Sequence, residues 1–111
     1  MIKASELPTG GNYALGAKPE SERILTGYSI LVAEDDADLQ FLLSGYLRNL
    51  GARVTISRDG QEATKQALAG DFDFIFMDLQ MPVMDGVKAT TQLRAGGYTK
   101  KIVALTAHAF E

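Results

Sequence analysis

The chain has 111 residues, 46% apolar and 23% charged, which suits one small globular domain and leaves no room for two. Eleven Lys+Arg against 14 Asp+Glu give a net charge of -3, which offers no basic footprint for nucleic acid, and the absence of Cys excludes disulfide, thiolate and Cys-based zinc chemistry. No apolar run approaches the ~20 residues of a membrane span and no signal peptide precedes the domain, so a cytoplasmic location without membrane contact by this segment is expected.

Residues 1–28 differ in character from the rest. They hold Gly10, Gly11, Gly16, Gly27, Pro8 and Pro19 and carry balanced charges, Lys3, Lys18 and Arg23 against Glu6, Glu20 and Glu22. No apolar period there is long enough for a core element, so the segment reads as a linker or flexible arm. The competing reading is that Arg23-Ile24-Leu25 forms a short strand or docks on the domain. All of the net charge then belongs to residues 29–111, where Glu34, Asp35, Asp36 and Asp38 crowd together.

From residue 29 onward, short apolar runs alternate with helical periods. Ser29-Ile30-Leu31-Val32-Ala33 is too short for a helix and suits a strand buried on both faces. Leu39, Leu42, Leu43, Tyr46, Leu47 and Leu50 then recur at helical spacing as one apolar stripe, expected to face the core, and Gly51 suits the left-handed residue that ends the helix.

Arg53 to Ser57 reads as a second strand. Asp59 stands at a helix N-cap with Glu62 completing a capping box, and Ala63, Ala67 and Leu68 are expected inward in a short helix ending at Gly70. Phe72 to Met77 is the third strand. The turn-rich loop Met81-Pro82-Val83-Met84-Asp85-Gly86 leads into a third helix running through Leu93, with Asp85 and Gly86 as turn and cap residues. Gly96-Gly97 stops that helix before a fourth strand, Ile102 to Leu105.

Strands joined by crossover helices run parallel, and right-handed crossovers cover both faces of an open sheet. The fold class is therefore α/β, an open doubly wound parallel sheet, whose ligands bind beyond the carboxyl ends of the strands. The first strand ends in Glu34-Asp35-Asp36, the third in Asp78 and the fourth in Thr106. If the first and third strands are neighbours, at least two carboxylates converge, and either their pKa values rise or a cation neutralises them. An all-oxygen site of this kind suits Mg²⁺, or Mn²⁺, and leaves a coordination position for a phosphate oxygen. Neither G-x-G-x-x-G nor G-x-x-x-x-G-K-[ST] nor G-x-S-x-G occurs, which argues against nucleotide binding and a serine nucleophile. An isolated Asp beside a divalent cation has nucleophilic chemistry open to it, with its carboxylate accepting a phosphoryl group.

Ile30-Leu31-Val32-Ala33-Glu34-Asp35-Asp36, Phe76-Met77-Asp78-Leu79-Gln80-Met81-Pro82-Val83-Met84-Asp85-Gly86 and Ala104-Leu105-Thr106-Ala107 resemble the receiver domain of two-component response regulators, most closely receivers attached to hybrid sensor histidine kinases. The resemblance covers residues 29–111. It implies a flavodoxin-like sheet in strand order 2-1-3-4, with Asp78 as phosphoacceptor from a histidine kinase or histidine phosphotransfer domain. It further implies Asp35 as direct metal ligand, Glu34 acting through water, Gln80 lending a backbone carbonyl to the metal, and Thr106 as the switch hydroxyl. Asp36 falls outside the acidic pair and reads as a helix cap. His108, the only histidine, reads as a surface residue.

Receivers of this family continue into a fifth strand ending in a Lys that pairs with the phosphoryl group, then a last helix, whereas this sequence stops at Glu111. Lys100 and Lys101 precede the fourth strand and so fall at the wrong end of the sheet to substitute. The expectation is an incomplete receiver cut from a longer protein, with membrane anchoring of that parent left open, whose uncovered face self-associates or draws cover from residues 1–28. Two classes of function stay open. One is a phosphoryl-accepting switch with self-catalysed transfer and hydrolysis but no independent turnover; the other is a receiver-like interaction module or inactive fragment that is not phosphorylated.

Overall fold

A computed structural model of the chain describes residues 22–105. In chain order the elements are β1 (Ser29–Ala33), α1 (Ala37–Asn49), β2 (Arg53–Ser57), α2 (Gly60–Ala69), β3 (Phe74–Asp78), α3 (Gly86–Ala95) and β4 (Lys101–Leu105). Among the described residues these four strands form one parallel sheet in the order β2-β1-β3-β4. This is the expected open α/β architecture. The third strand begins two residues later than its apolar run, because Phe72 is buried in the core from the loop before it.

The period of two along each strand divides the core into two layers. Leu31, Ala33, Ile75 and Met77 face α2 and α3, where Ala63, Ala67, Ala89 and Leu93 meet them. Ile30 and Val32 face the other way, onto Leu47 and Ala52, with Leu43, Tyr46, Phe74 and Phe76 partly buried around them. Since β1 lies between β2 and β3, its residues Ile30 to Ala33 are wholly buried, as its continuous apolar run predicts.

The helix starts follow local chemistry. Asp36 caps α1 by accepting from the Asp38 and Leu39 amides, Asp59 caps α2 through the Glu62 amide at 2.8 Å, and Asp85 caps α3 through the Lys88 amide at 2.8 Å. The capping box of α2 is displaced by one residue, since Glu62 accepts from the Arg58 amide at 3.2 Å. At the end of α1, Gly51 takes φ 103°, and a Cβ there would stand 2.4 Å from the Thr26 hydroxyl oxygen.

Two expectations about helix faces are corrected. The leucine stripe of α1 is wider than the surface that receives it: Ser44 and Leu47 are buried, whereas Leu39 is 50% and Leu42 61% exposed. The helix is rotated so that the line through Leu43, Ser44 and Leu47 meets the sheet, and Ser44 keeps its hydroxyl bonded to the Phe41 carbonyl. Leu68, expected inward, is 63% exposed, because the alanines at 63 and 67 alone fill the narrow space between α2 and the sheet.

Within the segment read as an arm, residues 22–28 contact the domain. The Leu25 amide donates to the Leu50 carbonyl at 2.8 Å, the Arg53 amide donates to Tyr28 at 2.9 Å, and the Tyr28 ring lies 6.1 Å from that of Phe74. Leu25 packs against the Leu47 layer while Ile24 stays exposed. The remainder of that segment, residues 1–21, lies outside the described residues, as do Thr106 and His108.

Candidate metal and phosphoryl site

The sheet order brings the carboxyl ends of β1 and β3 side by side, with Ala33 opposite Met77. Glu34 leaves β1 with its amide donating to the Ser57 carbonyl at 3.0 Å, so it is held toward β2 and is only 4% exposed. Asp35 is exposed and Asp78, the last residue of β3, is half-buried. One carboxylate oxygen from each of Glu34, Asp35 and Asp78 lies within 4.8 Å of the other two. Strand order alone called for at least two converging carboxylates, and three converge.

Their crowding has an electrostatic consequence. The pKa of Glu34 is pushed from 4.5 up to about 7, first by burial, then by hydrogen bonding and charge repulsion from Asp78 and by a hydrogen bond with Asp35. The Asp36 amide, donating to Glu34 Oε2 at 3.1 Å, offsets only part of this. Burial and crowding thus favour the protonated carboxyl of Glu34 over its anion. A small divalent ion fits the place of that proton. The donor set is entirely carboxylate oxygen, partly open to water, and contains no imidazole or thiolate.

The residues around the acids are fixed by the backbone. Gln80 donates its amide to Asp78 Oδ1 at 3.1 Å, closing the turn that carries its own carbonyl. Gly86 returns to this turn, its amide donating to the Leu79 carbonyl at 3.2 Å, and a Cβ at Gly86 would stand 2.0 Å from the Asp78 carbonyl oxygen. Glycine at this position is therefore required by close approach, while the cap of α3 is Asp85. Leu105 lies opposite Asp78 in the β3–β4 register, and Thr106 is the next residue of the chain. Lys100 pairs with Asp71 at the amino-terminal end of the sheet, away from the acids, as its place before the fourth strand implies.

Sequence reasoning passed over Gln40. Its side-chain amide donates to the Glu34 carbonyl, tying the first turn of α1 to the end of β1. The available signal was a polar residue within the inward arc of an apolar stripe. Asp36 is a cap, as expected, and is not one of the three converging acids.

No described helix is long and apolar enough to cross a membrane. A probable histidine kinase 2 of Oryza sativa subsp. japonica is 36% identical over 91% of this chain, which spans 11% of that protein's length; the chain thus spans about a tenth of the curated relatives it matches. The receiver domain of the sensor histidine kinase PA1611 of Pseudomonas aeruginosa, solved with a magnesium ion in its active-site cleft, is 41% identical, with a TM-score of 0.73 over 78% of this chain and 72% of that one. The receiver domain of the Arabidopsis thaliana histidine kinase CKI1, complexed with Mg²⁺ and BeF₃⁻, is 30% identical, with a TM-score of 0.73 over 82% of this chain and 74% of that one. The family model described as the response regulator receiver domain matches residues 30–111. With the sheet order, the three converging acids and these likenesses together, the chain belongs to the response regulator receiver domain family.

Proposed function

We propose that the chain is a phosphoacceptor receiver of a two-component phosphorelay, taking a phosphoryl group from a phosphohistidine onto Asp78. The observation that carries this reading is the convergence of Glu34, Asp35 and Asp78, whose crowding and burial raise the pKa of Glu34. Glu34, Asp35 and Asp78, with the Gln80 carbonyl, would hold Mg²⁺ or Mn²⁺. When bound, the cation neutralises the charge that builds up between carboxylate and phosphoryl oxygens.

An Asp78 carboxylate oxygen attacks the phosphorus in line with the P–N bond of the donor. That bond breaks with its electron pair left on the imidazole nitrogen, and an acyl phosphate forms on Asp78. Hydrolysis by water later restores the carboxylate. Thr106, next after the residue facing Asp78, supplies the hydroxyl that bonds a phosphoryl oxygen and switches the outer surface. The reading sets the domain in the cytoplasm, as part of a longer protein of hybrid histidine kinase type, since the relatives it covers by about a tenth are named probable histidine kinases. The donor is a histidine kinase or histidine phosphotransfer domain. It docks beside the acids on the exposed leucines 39 and 42 of α1, which leave the carboxyl-end rim free for the donor imidazole.

The test is intact mass after incubation with Mg²⁺ and acetyl phosphate. One phosphoryl addition is expected, absent from Asp78→Asn and in EDTA. No addition to a chain that circular dichroism shows to be folded would favour the interaction-module reading instead.

A further inference from the structure

The loop between Asp78 and α3 is held from a direction that its own sequence does not reveal. Gly60 opens α2, is buried, and donates its amide to the Met84 carbonyl at 2.9 Å. A Cβ on Gly60 would stand 2.1 Å from that oxygen, 2.8 Å from its carbon and 3.0 Å from the Asp85 carbonyl oxygen. On the far side of the same loop, Gly86 donates to Leu79 and presses on the Asp78 carbonyl. Met84 to Gly86 is thus clamped between the first turn of α2 and the backbone of Asp78.

Starting α2 does not require this contact. Asp59 already caps the helix through the Glu62 amide, which leaves the Gly60 amide as one of the unpaired first-turn donors. That donor is spent on a loop carbonyl and not on water. The loop needs such an anchor because Val83 holds φ 68°, a left-handed conformation that a β-branched residue does not favour, while 76% exposed and without packing to fix it.

We infer that Gly60 is a positioning residue for Asp78, acting through Met84 and Gly86 to fix the turn that aims the Asp78 carboxylate and the Gln80 carbonyl. The inference rests on the phosphoacceptor reading of Asp78. Alanine at 60 must push the Met84 carbonyl away by about an ångström to reach ordinary contact. A shift of that size at reacting groups typically costs about 10- to 100-fold in rate.

The experiment compares the full chain, Gly60→Ala and Ala67→Gly. Ala67 lies on the same helix, buried and seven residues beyond Gly60, and its change to Gly costs about 1 kcal/mol of helix stability. Mg²⁺ binding is followed by the amide resonances of Asp78, Leu79 and Gln80, and labelling by acetyl phosphate is timed by mass. The expected result is weaker Mg²⁺ binding and labelling slowed at least about 10-fold in Gly60→Ala, with Ala67→Gly binding as the parent does. Equal behaviour of Gly60→Ala and parent overturns the inference, as does a loss in both variants that simply follows their melting temperatures. A parent chain that binds no Mg²⁺ and takes no label overturns the phosphoacceptor reading itself. If Gly60→Ala does not fold, the parent's Gly60 amide decides: it is expected to shift on addition of Mg²⁺ and BeF₃⁻ together with Asp78, and a silent Gly60 overturns the inference.

Discussion

Glu34→Gln isolates what the acidic cluster costs the fold. Glu34 is 4% exposed and its pKa stands at about 7 in place of 4.5. An acid with a raised pKa keeps its proton in the fold at pH values where the unfolded chain has already lost it. Stability is therefore full below about pH 4.5, falls as pH rises from 4.5 to about 7, and levels off above that. At about 1.4 kcal/mol for each pH unit, the loss between pH 4.5 and about 7 is at most about 3–4 kcal/mol. Water at the open side of the cluster, around the exposed Asp35 and the half-buried Asp78, screens part of that loss and leaves roughly 1–2 kcal/mol.

Glutamine has the same shape, carries no charge, and keeps an oxygen for the Asp36 amide. In EDTA at pH 8 the variant is expected to be more stable than the parent by about 1–2 kcal/mol, or about 4–8 °C for each kcal/mol in a domain of this size. At pH 4.5 the two melt together. Added Mg²⁺ raises the parent's melting temperature at pH 8 and raises that of the variant less, because one ligand charge is gone. Thermal melts by circular dichroism at pH 4.5, 6 and 8 decide the matter. An equal gain at all three pH values would show that the advantage comes from packing, and the electrostatic reasoning would be refuted.

Three further outcomes follow from the geometry. Val83→Gly relieves the φ of 68° at an exposed position and is expected to stabilise the chain by about 0.5–1 kcal/mol in urea unfolding, the relief exceeding the backbone entropy cost of glycine. Leu47→Ala empties a buried position between Ile30, Val32 and Ala52 and lowers stability by about 2–4 kcal/mol, measurable in the same assay. Its Mg²⁺ affinity stays at the parent's value, because that layer lies on the sheet face opposite α2 and α3. Leu42→Asp, at a position 61% exposed, changes stability by less than about 0.5 kcal/mol, slows transfer from a phosphohistidine protein, and leaves acetyl phosphate labelling unchanged.

The strands, the three aspartate caps and the parallel order were legible because each is written locally. β1 is a continuous apolar run, Asp36, Asp59 and Asp85 each precede a helical period, and the segments joining strands are long enough only for crossovers. The convergence of Glu34 with Asp78 then follows from topology, although they lie far apart in sequence. What the sequence hid depends on contacts between elements. Leu39 and Leu42 match the period of α1 as well as Leu43 and Leu47 do, and only the width of the sheet beneath the helix separates them. Gly60 looks like an ordinary residue of a helix start, since its neighbour Met84 belongs to a loop 24 positions away.

The same topology explains why the site is short of positive charge. Parallel strands end where the following helices begin, so the amino-terminal amides of α1, α2 and α3 lie along the rim that carries the acids. In this chain each of those ends is already engaged by an aspartate of its own, Asp36, Asp59 and Asp85. Two further amides are also committed, that of Gly60 to Met84 and that of Gly86 to Leu79. Glu34 receives one backbone donor, from Asp36, and Asp78 one, from Gln80. The Asp36 amide does not offset burial and the repulsion from Asp78, and the pKa of Glu34 is accordingly pushed up to about 7. A nucleotide-binding turn at this place would spend its amides on phosphate; here the amides hold the loops, and under the proposed function the task of drawing in phosphoryl oxygens would fall to a cation.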